Sequence, residues 1–299
     1  MRPGVLWTNL SLRRIRAALI ERGFRIGVRS VARLLRRHGF GRRKAQKKLS
    51  SGKRHPQRDQ QFRKVERLRA EYEDSPNPVI SVDTKKKGFI GNLYREGRLY
   101  TRATIHTLDH DFPTSARGVA FPHGIYDVKR NVGHINLGTS HDTSRFACDS
   151  VGHWWERYGR AAHPEATSIL MLCDGGGSNS SRRYVFKHHL ELLAGRLGVE
   201  IRVAHYPPGC SKYDPIEHRF FPHVTRACQG VVFTSLELMR QKMSETRTEK
   251  GLRATIDVLP GDYPTGDKAP AGYKKAMGIV FDEELPAWNY RAVPKKPGS

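Results

Sequence analysis

Cysteine is scarce: four residues in 299, at Cys148, Cys173, Cys210 and Cys228, with no C-x-x-C pair among them. That argues against a zinc ribbon or a disulfide framework and fits a reducing cytoplasm. No apolar run approaches the roughly 20 residues that cross a bilayer, and the opening Met1-Arg-Pro-Gly-Val-Leu-Trp-Thr has no apolar signal-peptide core. No membrane partner is expected. The 14 histidines include no H-E-x-x-H. The glycines Gly175–Gly177 are not followed by G-K-[ST], and Ser178 lacks a nucleophile-elbow context. These gaps exclude a zincin, a P-loop and a serine-hydrolase reading. There is no internal repeat. At 37% hydrophobic the chain has enough apolar residues to bury a core.

Acidic residues are also scarce, and unevenly so. The whole chain carries 53 Lys and Arg against 29 Asp and Glu, a net +24. Residues 1–70 hold 22 basic and 3 acidic residues, +19 of that total, and the other 229 carry +5. Such a block is the electrostatic footprint of a polyanion partner, the alternative being a solvated basic tail. Apolar periodicity inside the block favours the first. Leu12, Ile15 and Leu19 share one helical face, opened by Asn9 or Ser11 and stopped by Gly23. A second helix is expected from about Val28 to Arg37, with Val28, Val31, Leu34 and Leu35 on its apolar face. Gly39 ends it. Its outer face offers Arg29, Arg33, Arg36 and Arg37. The pair reads as a helix-turn-helix or as a plain basic helical hairpin. Residues 41–61, with Arg42, Arg43 and Lys44, read as a basic linker ordered on nucleic acid.

From residue 59 a charged helix carries Phe62, Val65 and Leu68, and Ser75-Pro-Asn-Pro78 breaks it. Strand signals follow at 79–83, 89–93, 99–105 and 133–139, with a loop excursion expected over 106–130. A helix from Asp142 or Thr143 to about Tyr158, a strand at 169–173, a helix at 180–197, a strand at 200–204 and a helix near 215–228 complete the pattern. Alternation of this kind predicts an α/β domain with a mixed sheet.

Three acids stand where a shared pocket would place them. Asp83 ends the apolar run from Pro78, Asp174 ends the run from Ser168, and Glu217 opens a helix after Pro215. Carboxylate oxygens suit Mg²⁺ or Mn²⁺, and two such ions suit an in-line displacement at phosphorus. Lys85, Lys86 and Lys87 stand ready to grip phosphate. The bland readings are a turn aspartate for Asp83 and for Asp174, and a first-turn acid favoured by the helix dipole for Glu217. Asp214 reads as a helix cap or as an acid behind the site.

These residues carry a resemblance. Val82-Asp-Thr-Lys-Lys-Lys87, Asp174-Gly-Gly-Gly-Ser-Asn179, His205-Tyr-Pro-Pro-Gly209 and Ile216-Glu-His-Arg-Phe-Phe221 resemble the DDE transposases of bacterial insertion sequences, most closely the ISAzo-type or Rhodopirellula-type group. Tyr126–Asn136, His141-Asp142-Thr143, Tyr263-Pro-Thr-Gly266 and Trp288-Asn-Tyr290 extend the likeness over essentially the whole chain. It implies an RNase H-like fold behind a small all-α helix-turn-helix region. It implies Asp83, Asp174 and Glu217 as catalytic, metal-binding residues, with Asn179 and Asp214 behind them and Mg²⁺ or Mn²⁺, two ions, as cofactor. The expected activity is cleavage of DNA at element ends and transfer of the 3′-hydroxyl strand into target DNA, by a homo-oligomer on double-stranded DNA at the nucleoid. A non-catalytic DNA-binding remnant and a structure-directed nuclease of the same fold are the alternatives. The expected division is residues 1–58 for DNA binding, 59–230 for the catalytic core and 231–299 for its C-terminal extension. Two departures stand out. Asp214 occupies a position where the family usually has Asn, and the chain is expected to begin part-way through the helix-turn-helix region.

Overall fold

A computed structural model describes residues 8–43 and 55–294; Lys44 lies outside the described residues. The chain forms two compact units, Met1–Gly52 and Lys53–Ser299.

In the smaller unit, α1 (Leu12–Glu21) begins at Ser11, whose hydroxyl accepts the Arg14 N–H at 3.3 Å. It ends at Gly23, whose φ of +87° is open to glycine at no steric cost. α2 spans Val28–Arg37, and of its side chains only Val31 is buried. Arg16 Nε donates to the Ile26 carbonyl at 3.1 Å and ties α1 to the turn. Leu34, expected on the apolar face, is 39% exposed, because two short helices bury one seam and it sits beside that seam. Arg29, Arg33, Arg36, Arg37, Arg42 and Arg43 are all exposed.

The larger unit opens with α3 (Arg58–Glu73) and is built on a sheet of nine strands: β1 (Val79–Thr84), β2 (Gly88–Ile90), β3 (Gly118–Asp127), β4 (Val132–Gly138), β5 (Ser168–Cys173), β6 (Glu200–His205), β7 (Arg253–Val258), β8 (Ile279–Phe281) and β9 (Asn289–Ala292). The order is β7-β4-β3-β1-β5-β6-β9-β8, with β2 pairing β3. β3 runs antiparallel to both β4 and β1, and β5 and β6 continue from β1 in parallel. That centre is the mixed RNase H-like sheet the resemblance implied. β1 and β5 lie in its middle, which is why both are near-continuous apolar runs.

Period-2 alternation sorts the two faces. Ile80, Val82, Ile169 and Met171 pack against α4 (Ser144–Trp154) and α6 (Tyr184–Leu197). α4 continues through a π turn at Trp155–Gly159 into the short α5 (Arg160–Ala162). Val79, Leu170 and Leu172 face the other way, onto Val65, Leu68 and Tyr72 of α3. Beside α3 on that face lie α7 (Pro215–Arg219), α8 (Phe221–Ala227) and α9 (Leu236–Ser244), whose Ile216, Phe220, Val224 and Met239 pack with Tyr126, Ile135 and Leu137. α10 (Tyr273–Ala276) follows near the C-terminus.

Three expectations are corrected. Residues 99–105 form no strand. The expected loop over 106–130 contains β3, which pairs with β1 on one side and β4 on the other. The His, Asp, Gly and Pro content of 106–130, Pro122 and Gly124 included, reads as a loop; the neighbours of β3 on both sides supply the pairing that local propensity withholds. The expected helix over 215–228 breaks at Phe220 (φ −121°, ψ −60°), just before Pro222.

Candidate active site

Asp83 and Asp174 extend the rows that face α3 and α7. Val82 pairs with Cys173 in parallel register, so each aspartate is the next residue beyond a paired position on adjacent strands. Glu217 reaches them from the first turn of α7. Its carboxyl lies close enough to that of Asp83 to raise it. Burial first, then the charge of Asp174 and the Glu217 carboxyl, push the Asp83 carboxyl up to about 8. Asp83 Oδ1 also accepts the Thr84 N–H at 2.7 Å. Asp174 is turned onto its own loop, where its Oδ1 accepts the Gly176 N–H at 3.0 Å. Among the described residues no three His, Cys, Asp or Glu side chains already close into a metal cage. The structure therefore brings Asp83 and Glu217 together, with Asp174 beside them on the same face.

Behind the carboxylates, Asp214 is 1% exposed. Its Oδ1 accepts from the Ser81 hydroxyl, and Ser81 Oγ in turn accepts the Ile216 N–H at 2.9 Å. This bridge fixes the start of α7 to β1, two residues before Asp83. Burial, reinforced by the charge of Asp174, raises the Asp214 carboxyl well above its ordinary range, and its Oδ2 has no partner among the described residues. Asn179 is buried in the 3₁₀ turn Gly177–Asn179, which Ser144 holds by donating to the Ser178 carbonyl at 2.7 Å. Lys85 donates to Thr225 Oγ1 at 2.7 Å and lies over the Phe221 ring, so it braces α8; Lys86 and Lys87 are exposed.

A further group escaped the sequence reading. His205 Nδ1 donates to the Asp174 backbone carbonyl at 3.0 Å, and Nε2 accepts from the Tyr290 hydroxyl at 2.8 Å. Burial holds the His205 imidazole down to about 4, so it stays neutral in this tautomer. Lys187 donates to the Ser181 carbonyl and places its ammonium 4.7 Å from the Tyr290 ring centre. Gln61 of α3 donates to the His205 carbonyl at 2.8 Å and to Asn289 Oδ1 at 2.9 Å. The C-terminal β9 thus buttresses the strand end that carries Asp174. The signal was present in the His205 and Tyr290 motifs, but 85 residues separate the two. Tyr290→Phe should leave His205 Nε2 buried without a donor and cost about 1–3 kcal/mol in urea unfolding; a loss under a few tenths would mean that the bond contributes nothing net.

No curated protein sequence matches the chain. Among solved structures, it is similar to a Mos1 transposase paired-end complex with the left transposon end, at 15% identity over 82% of this chain and 73% of that one, TM-score 0.48. It is also similar to Mos1 paired-end complexes with Mn, at 14% identity and TM-score 0.47, and with Mg, at 16% and 0.48, each over the same 82% and 73%. The family model described as Rhodopirellula transposase DDE domain matches residues 1–294. With nearly the whole chain matched and the mixed sheet in place, the chain belongs to the Rhodopirellula transposase DDE domain family.

Proposed function

We propose that the protein cleaves DNA at the ends of its element and joins the freed 3′-hydroxyl to target DNA, with Asp83, Asp174 and Glu217 as the catalytic carboxylates. The observation that carries this reading is the meeting of a helix glutamate with a strand-end aspartate, beside a second strand-end aspartate, on one face of the sheet. The donor set fits a hard divalent cation: three carboxylates, one of them driven toward protonation by burial and by its acidic neighbours. Two Mg²⁺ or Mn²⁺ ions held by these three residues would supply charge for the attacking and leaving oxygens of an in-line displacement. The residues themselves hold the reacting phosphate's surroundings rigid. Asp83 stands on a central strand, the Ser81–Asp214 bridge seats α7, and His205 with Tyr290 steadies Asp174. Water is the first nucleophile and the 3′-hydroxyl the second, so no covalent protein–DNA bond forms. Asn179 and Asp214 support the carboxylates from behind.

On this reading residues 1–58 bind DNA, 59–230 form the catalytic core and 231–299 extend it, and the protein works as a homo-oligomer on double-stranded DNA at the nucleoid. Arg29, Arg33, Arg36, Arg37, Arg42, Arg43 and Lys44 contact the duplex, and Lys86 and Lys87, with Lys85, lie near the reacting phosphate. The test is incubation with DNA flanking its own gene in Mg²⁺ or Mn²⁺, scoring nicked and joined products. Nicks without joints would convert the protein to a nuclease, and binding with neither would make it a remnant.

The arginines of α2 give a separate expectation. Arg33 lies centrally on its exposed face. Arg33→Ala should lower preference for one base, by about 1–3 kcal/mol, while Arg37→Ala should weaken all sequences alike and flatten the log–log salt dependence by about 0.9. Binding of a sequence panel at several salt concentrations distinguishes the two, and identical behaviour of the variants would remove the base-reading role from Arg33.

A further inference from the structure

On the larger unit, a cavity of about 970 Å³ lies between α7–α8 and the segment after α9. Arg219, Arg226, Arg247 and Lys250 line it, with His218 and His223. Glu249 is the one acid among its lining residues. All four cations are exposed, and none is among the ion pairs of the described residues. Residues 71–299 carry only +5 in total, so this is a local concentration of charge rather than a share of a basic surface.

The groove is built rather than loose. Arg219 ends α7 and Arg226 stands in the last turn of α8. Arg247 forms a β-bridge with Arg253. The turn between them closes through Thr248 N to the Leu252 carbonyl and Gly251 N to the Thr248 carbonyl, each 3.1 Å. Asn131 Nδ2 donates to the Lys250 carbonyl at 3.1 Å, and the Tyr126 hydroxyl donates to Asn131 Oδ1 at 2.9 Å. Such a frame is already ordered, so binding has to order only the side chains and not the backbone that carries them. Glu217 and Arg219 leave α7 roughly 200° apart at about 100° per residue, so the groove occupies the flank of the helix opposite the carboxylates. The lining holds no Trp or Phe, and its one Tyr, Tyr126, is 1% exposed, so beyond the rings of His218 and His223 it offers no platform for stacking bases. Single strands are held by such platforms, duplexes by their phosphates.

We infer that this groove grips the sugar-phosphate backbone of duplex DNA, at phosphates flanking the one that reaches the carboxylates. The inference rests on the cleavage reading only for where the strand is cut. The test uses the full chain with R226Q/R247Q/K250Q, three exposed positions outside the proposed catalytic set, and a duplex oligonucleotide titrated across salt. The log–log salt slope should flatten by about 2–3, at about 0.9 for each phosphate no longer neutralised, and duplex affinity should fall at least about tenfold at moderate salt. Glu249→Lys should do the reverse and bind more tightly. Thermal melting followed by circular dichroism should stay unchanged for both variants. In cleavage assays KM should rise with kcat within about twofold. An unchanged slope in both variants overturns the proposal, and so does a loss confined to single-stranded DNA. A fall in kcat at constant slope overturns it too, by moving these residues into the chemistry. Wild-type protein that neither nicks nor joins, while the variants shift the slope as stated, ends the cleavage reading and leaves the groove standing.

Discussion

Asp83→Ala, Asp174→Ala and Glu217→Ala are each expected to lower cleavage by at least about a thousandfold, the equivalent of roughly 4 kcal/mol in the barrier. Duplex binding should be unchanged or tighter, because each substitution removes a negative charge facing phosphate. Asp214→Asn should be far milder, within about tenfold. Asp214 accepts one hydrogen bond from Ser81 inside the core, and burial already disfavours its charge. Full-rate Asp174→Ala protein would end the assignment, and a dead Asp214→Asn protein would promote Asp214 into it. The pH dependence has a definite sign. The Asp83 carboxyl stands at about 8 in the folded protein against an ordinary 3.8. The folded state therefore holds an extra proton between those values. The stability contributed by this group is complete below about 4 and lost as pH rises through about 8. A divalent cation must displace the same proton, so its apparent affinity should climb with pH up to about 8. Melting curves with and without Mg²⁺ at pH 6 and pH 8 check this: the Mg²⁺ increment should be larger at pH 8, and Asp83→Asn should abolish the difference.

Gly133→Val and Gly124→Val should be nearly as damaging, although neither residue carries chemistry. A Cβ at Gly133 would sit 2.2 Å from the Phe220 ring, and one at Gly124 would sit 2.6 Å from Phe221 and 2.8 Å from Ile216. Ile216 on α7, Phe220 at the break and Phe221 on α8 surround the turn that carries Glu217. Forcing them off the sheet costs about 1–3 kcal/mol of stability. It also lifts Glu217 from Asp83, and a displacement near 1 Å at a catalytic group is worth about a hundredfold in rate. The expected result is cleavage reduced by about a hundredfold or more, with the chain still folded and still binding duplex DNA. Adding Phe220→Ala to Gly133→Val should recover part of the lost stability. If the two substitutions prove additive in a double-mutant cycle, the close approach at Gly133 does not set the height of α7.

Much of the frame was legible in local sequence. The runs ending at Asp83 and Asp174 are apolar on both faces, and central parallel strands need that pattern. Ser11 and Gly23 bound α1 as their capping chemistry requires. Pro215 at the start of α7 places Glu217 in a first turn. β3 was not legible, since Pro122 and Gly124 are turn residues whose strand conformation depends on β1 and β4 lying on either side. β7, interrupted by Asp257, was missed because it holds its place through β4, more than a hundred residues away, and β8 and β9 because they are only three and four residues long.

The amino-acid sequence by itself determined the charge division, with +19 in the first 70 residues, and the strand ends on which two of the three carboxylates stand. Both follow from composition and period, which need no knowledge of what is nearby in space. Only the tertiary structure decided that Glu217 meets Asp83, that His205 and Tyr290 steady Asp174, and that Arg219, Arg226, Arg247 and Lys250 share one groove. Each of these depends on close approach between segments remote in sequence. The helix seats where Gly124 and Gly133 leave room for Ile216, Phe220 and Phe221, and side chains that meet across a packed core leave no periodic trace in either segment alone.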